Sequence, residues 1–138
     1  MTSKAFLDTN ILVYFFSDEG QKTAVAEQLL LDGGIVSVQV LNELTSIARQ
    51  RMKMNWEELR VARDAVLVFC PNPVALTLEI HRNAVEIAAR YGYSIYDALI
   101  LAAAIASGCT TLYSEDMQHG HVVDGLRIEN PFRAAPQV

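Results

Sequence analysis

Short apolar runs alternating with longer amphipathic stretches constrain the folding of this chain more than any other feature. Residues 5–7, Ala-Phe-Leu, are strand-like, and residues 10–16 then read as a short helical turn. Over residues 21–31, Ala24, Val25, Leu29 and Leu30 recur at helical spacing, and Gly33-Gly34 ends the pattern. Residues 35–37 form a second short strand. From Val38 onward, Val40, Leu41, Leu44, Ile47 and Ala48 make one apolar helix face. Asn55 reads as the N-cap of a helix from Trp56 to about Val68. Pro71 and Pro73 mark a connection, with Val74 and Ala75 as a candidate edge strand. Residues 77–91 are helical by pattern and close at Gly92; Ser94 opens a further helix to Ser107, ended by Gly108. Residues 110–113 form a strand, with 122–123 and 126–128 as weaker candidates. Short strands alternating with longer helices predict an α/β fold, a mainly parallel sheet with helices on both faces.

Composition narrows the functional classes. A 51% hydrophobic chain with 20% charged residues is a folded protein, and 138 residues suit one domain spanning 1–138. No repeat, linker or low-complexity segment interrupts it. The net charge of -5 disfavours a simple nucleic-acid binder; a polyanionic substrate needs local basic patches or bound cations. Cys70 and Cys109 lie far apart without metal-ligand spacing, which fits buried thiols in a reducing cytoplasm. Met1-Thr2-Ser3-Lys4 runs into the first strand without a signal-peptide pattern. The longest uncharged stretch, residues 98–114, falls short of a membrane span and reads as a buried helix followed by a strand.

Four acids occupy positions where such a sheet gathers its ligands, outside the carboxyl ends of the strands. Asp8 ends the first strand. Glu43 lies in the first two turns of the helix after the second strand. Asp97 sits in the first turn of the Ser94 helix, and Asp116 follows the strand at 110–113. Each also has a plain structural explanation. Asp8 suits an Asx-turn, Ser94 to Asp97 has the spacing of a capping box, Glu43 suits a helix surface, and Asp116 suits a first-turn acid. Taken together, several carboxylates at one end of a sheet repel one another unless a cation joins them. Hard divalent ions with oxygen ligands, Mg²⁺ or Mn²⁺, are the natural partners.

These residues resemble a known family. Asp8-Thr9-Asn10-Ile11-Leu12-Val13-Tyr14 is similar to the opening motif of PIN domains, particularly the VapC-like toxin ribonucleases. Ser37 to Glu43 resembles the segment carrying that family's second acid, Tyr96 to Ile100 the third motif, and Leu112 to Met117 the fourth. The matches follow the family's order across nearly the whole chain. The resemblance implies a three-layer α/β/α sandwich whose acids hold Mg²⁺ or Mn²⁺ for phosphodiester hydrolysis. Carried over by position, Asp8, Glu43, Asp97 and Asp116 would be the metal-binding and catalytic acids. Thr9, Asn10 and Ser114 would be supporting polar groups. The partners implied are an RNA substrate, a cognate antitoxin protein and a second copy in a homodimer.

Other features carry two readings. Arg49, Arg51, Lys53, Arg60 and Arg63 form either a basic rim for an RNA backbone or ordinary helix-end and surface cations; in VapC-like proteins the same region resembles a partner contact. His119-Gly120-His121 lacks the ligands of a metal site but stands in a loop where it could touch substrate. Trp56, with Met52 and Met54, suits helix packing or a subunit contact more than base stacking, and Tyr14, Phe15 and Phe16 suit packing or a dimer face. Three further functional classes stay open: a PIN nuclease outside toxin–antitoxin pairs, a non-catalytic PIN module binding RNA or protein, and a phosphotransfer domain. The last is weakened because no lysine follows Lys53.

Overall fold

Two strand-like runs in this chain pass directly into helices, and in each the residue at the junction is the helix cap. The computed structural model describes residues 5–133. Residues 1–4, read above as the lead into the first strand, lie outside the described residues, as do 134–138. β1 (Phe6–Leu7) stops at Asp8, whose side chain accepts from the Thr9 amide at the start of α1 (Thr9–Phe15). The extended residues 35–37 stop at Ser37, whose Oγ accepts from the Val40 amide and caps α3 (Val38–Gln50). Between them lies α2 (Gln21–Leu31). A capped junction leaves no slack, so side chains in the first helical turns are fixed relative to the sheet edge.

The remaining helices also start on caps. Asn55 and Glu58 form a reciprocal capping box on α4 (Trp56–Phe69). Thr77 caps α5 (Leu78–Tyr91), which ends at Gly92 in the left-handed conformation. Ser94 caps α6 (Ile95–Ala106). β2 (Thr111–Tyr113), β3 (Val122–Val123) and β4 (Leu126–Glu129) complete the sheet. Its order is β1-β2-β4-β3, with β1/β2 and β2/β4 parallel and β3/β4 antiparallel. Asp124 and Gly125 both have positive φ, the two-residue turn that matches strand twist in a tight hairpin. The Asp-Gly pair is thus the signal that makes the weakest strand candidates real.

The expected strands at 35–37 and 74–75 are single bridges rather than ladders. Ile35 bridges in parallel to Phe6, and Ser37 to Val74. Capping begins α3 so soon after Gly34 that only a few residues stay extended. The sheet is therefore mixed but mainly parallel, the α/β architecture expected of the chain. Buried apolar side chains from every helix and strand form one cluster, with Phe6, Ile11, Leu44, Ile100, Leu112 and Ile128 among its largest members. Residues 98–104 of α6 are all buried, so the uncharged stretch is a core helix leading to β2. Cys70 and Cys109 are both buried free thiols. No helix among the described residues is long and apolar enough to cross a membrane.

The sheet edge beside Asp8 is tightly filled. A Cβ on Gly34 would lie 2.6 Å from both Cγ and Cδ1 of Leu7, itself fully buried. Overpacking of this kind costs roughly 1–3 kcal/mol. Gly34→Ala is therefore expected to lower unfolding stability by about that amount in urea titrations.

Candidate active site

Capping geometry sets the direction of each acid. Asp8 is 4% exposed, and its Oδ1 accepts from the Thr9 amide at 2.7 Å. Its Oδ2 accepts from Ser114 Oγ at 2.7 Å and from Asn10 Nδ2 at 3.4 Å. Ser114 is fully buried, and its Oγ in turn accepts from the amides of Asp116 and Met117, both at 3.2 Å. One hydroxyl thus joins the end of β1 to the turn after β2.

Glu43 reaches the same place from α3. Its Oε1 accepts from Thr9 Oγ1 at 3.1 Å and its Oε2 from Gln39 Nε2 at 3.0 Å. Asn10 Nδ2 also donates to Asp116 Oδ2 at 3.2 Å, while Asn10 Oδ1 accepts from the Glu115 amide at 3.2 Å. Asp116 is not a first-turn helical acid; it stands in a bend organised by Ser114. Asp97 departs from its sequence reading in a useful way. Ser94 Oγ accepts from the Asp97 amide at 3.1 Å, so the cap exists. The reciprocal half of the capping box is missing, and the half-buried Asp97 carboxylate accepts no hydrogen bond from any described residue.

Asp8, Glu43, Asp97 and Asp116 all line one cleft of about 410 Å³, with Thr9 and Asn10 beside them. Ser114 lies beneath it, out of contact with solvent. A larger cavity of about 670 Å³ lies between α5 and α6 and contains none of the four acids.

Residues 5–124 match the PIN domain family model. The chain belongs to the PIN domain family. Solved structures agree on the fold. A toxin–antitoxin complex from Klebsiella pneumoniae is 22% identical, with a TM-score of 0.72, over 95% of this chain and 100% of that one. VapC20 of Mycobacterium tuberculosis, described as a Sarcin-Ricin loop cleaving toxin, is 21% identical, with a TM-score of 0.66, over 82% and 90%. VapBC2 of Rickettsia felis, bound to a DNA fragment from its promoter, is 22% identical, with a TM-score of 0.66, over 91% and 97%. No curated protein sequence matches the chain significantly.

Within this PIN fold, several residues matter that the sequence did not single out. Gln39 is buried and holds Glu43 from one turn away, a pairing visible in principle from its i, i+4 spacing. Tyr14 does more than pack. Its ring meets Phe132 edge-on at 4.9 Å, and its hydroxyl donates to Glu115 at 2.5 Å. Lys22 closes the group, 2.6 Å from Glu115 and 3.1 Å from the Tyr14 hydroxyl. Partial burial opposes ionisation of Glu115, but hydrogen bonds from Lys22 and Tyr14 outweigh it and hold the carboxyl below its ordinary range. This latch fastens the Asp116 turn to α1 and α2. No local pattern announces a contact between residues 22 and 115. Phe15, in contrast, packs on Phe16 and Phe69 as expected. The two histidines stand apart from the cleft. His119 accepts from the Asn130 amide, and His121 stacks on Tyr93 while sharing a hydrogen bond with its hydroxyl.

The electrostatics of the PIN cleft favour a cation. The Asp8 carboxyl is raised from 3.8 to about 6, by burial first and by the negative charges of Glu43 and Asp97, against the opposing hydrogen bonds from Ser114 and the Thr9 amide. Asp97 is raised too, by burial first and then by Glu43 and Asp116. No three His, Cys, Asp or Glu side chains among the described residues form a tight ligand cluster. Mg²⁺ needs none, because it keeps several waters and commonly uses one or two carboxylates. An all-oxygen donor set without nearby thiolate or imidazole suits Mg²⁺ or Mn²⁺ rather than zinc.

The raised Asp8 pKa has a definite consequence for stability without divalent ions. The folded carboxyl keeps its proton up to about pH 6, while the unfolded one loses it near 3.8. Its stabilising contribution is complete below the lower value and is lost as pH rises through the upper one, a change of roughly 3 kcal/mol. Chelator-treated protein should therefore lose unfolding free energy between about pH 4 and 7, and Asp8→Asn should flatten that decline. Parallel profiles for the two proteins would show that Asp8 is not the group responsible.

Proposed function

We propose that this chain, acting as one PIN-like domain over residues 1–138, is a metal-dependent endoribonuclease and the toxin of a toxin–antitoxin pair. The observation that carries the reading is the convergence of Asp8, Glu43, Asp97 and Asp116, from four separate segments, on one cleft. The toxin assignment is supported by PIN-family membership and by likeness to toxin and toxin–antitoxin structures. On this reading the partners are an RNA substrate, a cognate antitoxin and a second copy of the chain, and the setting is the cytoplasm.

Asp8, Glu43, Asp97 and Asp116 are the residues that would hold Mg²⁺ or Mn²⁺. Such an ion, when bound, acidifies water and offsets negative charge on a phosphodiester. The chain's own contribution is placement. Ser114 and the Thr9 amide hold Asp8 in one orientation, and Thr9 with Gln39 does the same for Glu43. Asn10 ties Asp116 to Asp8. Asp97, with no hydrogen bond on its carboxylate and a raised pKa, is suited to orient the attacking water and take its proton. The water oxygen bonds to phosphorus as its proton passes to Asp97, the phosphorus–oxygen bond to the leaving nucleotide breaks, and the leaving oxygen takes a proton from solvent water. Neither a histidine nor a serine nucleophile has a part in this scheme.

RNA cleavage by the purified chain is expected to stop in chelator and return with Mg²⁺ or Mn²⁺. Asp97→Asn is expected to lose at least about a hundredfold in rate, the scale of removing one preorganised electrostatic group, while keeping a cooperative melt. Cleavage that survives chelation overturns the metal dependence, cleavage that Asp97→Asn leaves intact overturns the assigned site, and absence of cleavage overturns the nuclease reading. Growth arrest on expression, relieved by a small protein encoded beside this chain, supports the toxin role. Cleavage without arrest points to a PIN nuclease outside such pairs.

A further inference from the structure

A cleft rich in carboxylates must still admit a polyanion, and divalent ions neutralise only its centre. Glu19 and Glu115 add to its acidity, and Lys22 is taken up by Glu115. Among the described residues lining the cleft, Arg51 is the sole cation. Its side chain is exposed and forms no ion pair or hydrogen bond with any described residue. Arg51 caps the C-terminal end of α3, five residues before Trp56 opens α4.

Trp56 is 53% exposed, unusual for an indole with no packing role. The guanidinium of Arg49 lies over its ring at 4.2 Å from the centroid, and Arg49 Nη1 is itself anchored on the Met54 carbonyl at 2.9 Å. The ring is thus held flat with a cation on it while much of its surface stays open. Trp56, Arg60 and Arg63 share one face of α4 by their i, i+4, i+7 spacing. The exposed valines Val61 and Val68 point about 140° and about 120° away from Trp56 at 100° per residue. Of the eleven Lys and Arg in an acidic chain, Arg49, Arg51, Lys53, Arg60 and Arg63 fall within residues 49–63. Glu57 and Glu58 are the acids within that span, Glu58 being engaged in the α4 capping box. Asp64, just after it, pairs with Arg63 at 3.1 Å, which leaves Arg49, Arg51, Lys53 and Arg60 without an ion pair among the described residues.

We propose that Arg51, Arg49 and Trp56 form a binding strip for the single-stranded RNA adjoining the phosphodiester in the cleft, Arg51 holding a backbone phosphate and Trp56 stacking a base. The proposal rests on the nuclease reading and names how that site takes its substrate. A flat indole among arginines suits a base and its phosphates. What favours a polyanion over a protein here is charge: five of the eleven cations of a chain with net charge -5 are gathered within residues 49–63, beside the acidic cleft. Trp56, assigned to packing or a subunit contact in the sequence, is on this view part of substrate binding.

The chain has one tryptophan, so its emission reports on the strip directly. The experiment titrates the Asp97→Asn chain, in Mg²⁺, with a fluorescein-labelled single-stranded RNA decamer of mixed sequence. Trp emission and fluorescein anisotropy are followed together. Quenching that saturates with the anisotropy is expected. Trp56→Ala is expected to weaken binding about tenfold or more, and Trp56→Phe to restore most of it. Arg51→Ala is expected to weaken binding and to reduce the slope of log K against log salt by about 0.7. Thermal melts close to the parent's would show that these exposed substitutions leave the fold intact. Absence of RNA binding or quenching, or affinity unchanged in both Trp56→Ala and Arg51→Ala, overturns the strip, including in favour of a protein-binding surface. Cleavage by the unsubstituted chain is scored separately. RNA binding through the strip without cleavage defeats the nuclease reading alone, and cleavage with the strip substitutions silent defeats the strip alone.

Discussion

Burial of the Asp8 carboxylate at the end of a parallel strand, facing other carboxylates, is the interaction on which the site depends. An uncompensated charge in such a place is strongly unfavourable, so the group either keeps its proton or gains a counter-charge. The protein itself supplies partial compensation. Ser114, the Thr9 amide and Asn10 all donate to Asp8, yet its carboxyl still titrates near 6. Burial, with smaller contributions from the charges of Glu43 and Asp97, is what holds it there. Hydrogen bonds orient the carboxylate without neutralising it, and on the proposed reading a divalent cation supplies the missing counter-charge near neutral pH.

The same few polar groups also connect the chain segments. Ser114 links β1 to the turn after β2, Thr9 links α1 to α3, and Asn10 links α1 to the Asp116 turn. The Tyr14, Glu115 and Lys22 latch fastens that turn from outside. Acids separated by as many as 108 residues in sequence are thereby held by side chains that begin within two residues of Asp8 or of Asp116. Such preorganisation matters for catalysis because groups already aimed need no rearrangement during the reaction.

Much of this was legible in the sequence because it is written locally. Asn55 and Ser94 cap helices as their spacing indicated, Thr77 proves to be the cap of the helix that the pattern began with it, and the apolar faces of α3 and α6 end in the core. The four acids could be placed near one another because each stands at a strand end or in the opening turns of a helix. Other features depend on tertiary contacts and leave no local trace. The strand at 35–37 narrows to single bridges because capping by Ser37 begins α3 early. The Lys22–Glu115 pair spans the fold. The capping box expected at Ser94 and Asp97 forms only by half, and that difference leaves the Asp97 carboxylate free for the cleft. The Arg49–Trp56 stack likewise depends on how the connection after α3 turns, which residue spacing alone does not dictate.

The central claim is that the carboxylate cleft is built around a divalent cation. Thermal melting of the chelated chain against added Mn²⁺ at pH 7 tests it most directly, because a ligand bound only by the folded state raises the melting temperature with its concentration. The expected result is a progressive rise in melting temperature that Asp8→Asn largely removes. A melting temperature indifferent to Mn²⁺, or a rise of equal size in Asp8→Asn, would contradict it.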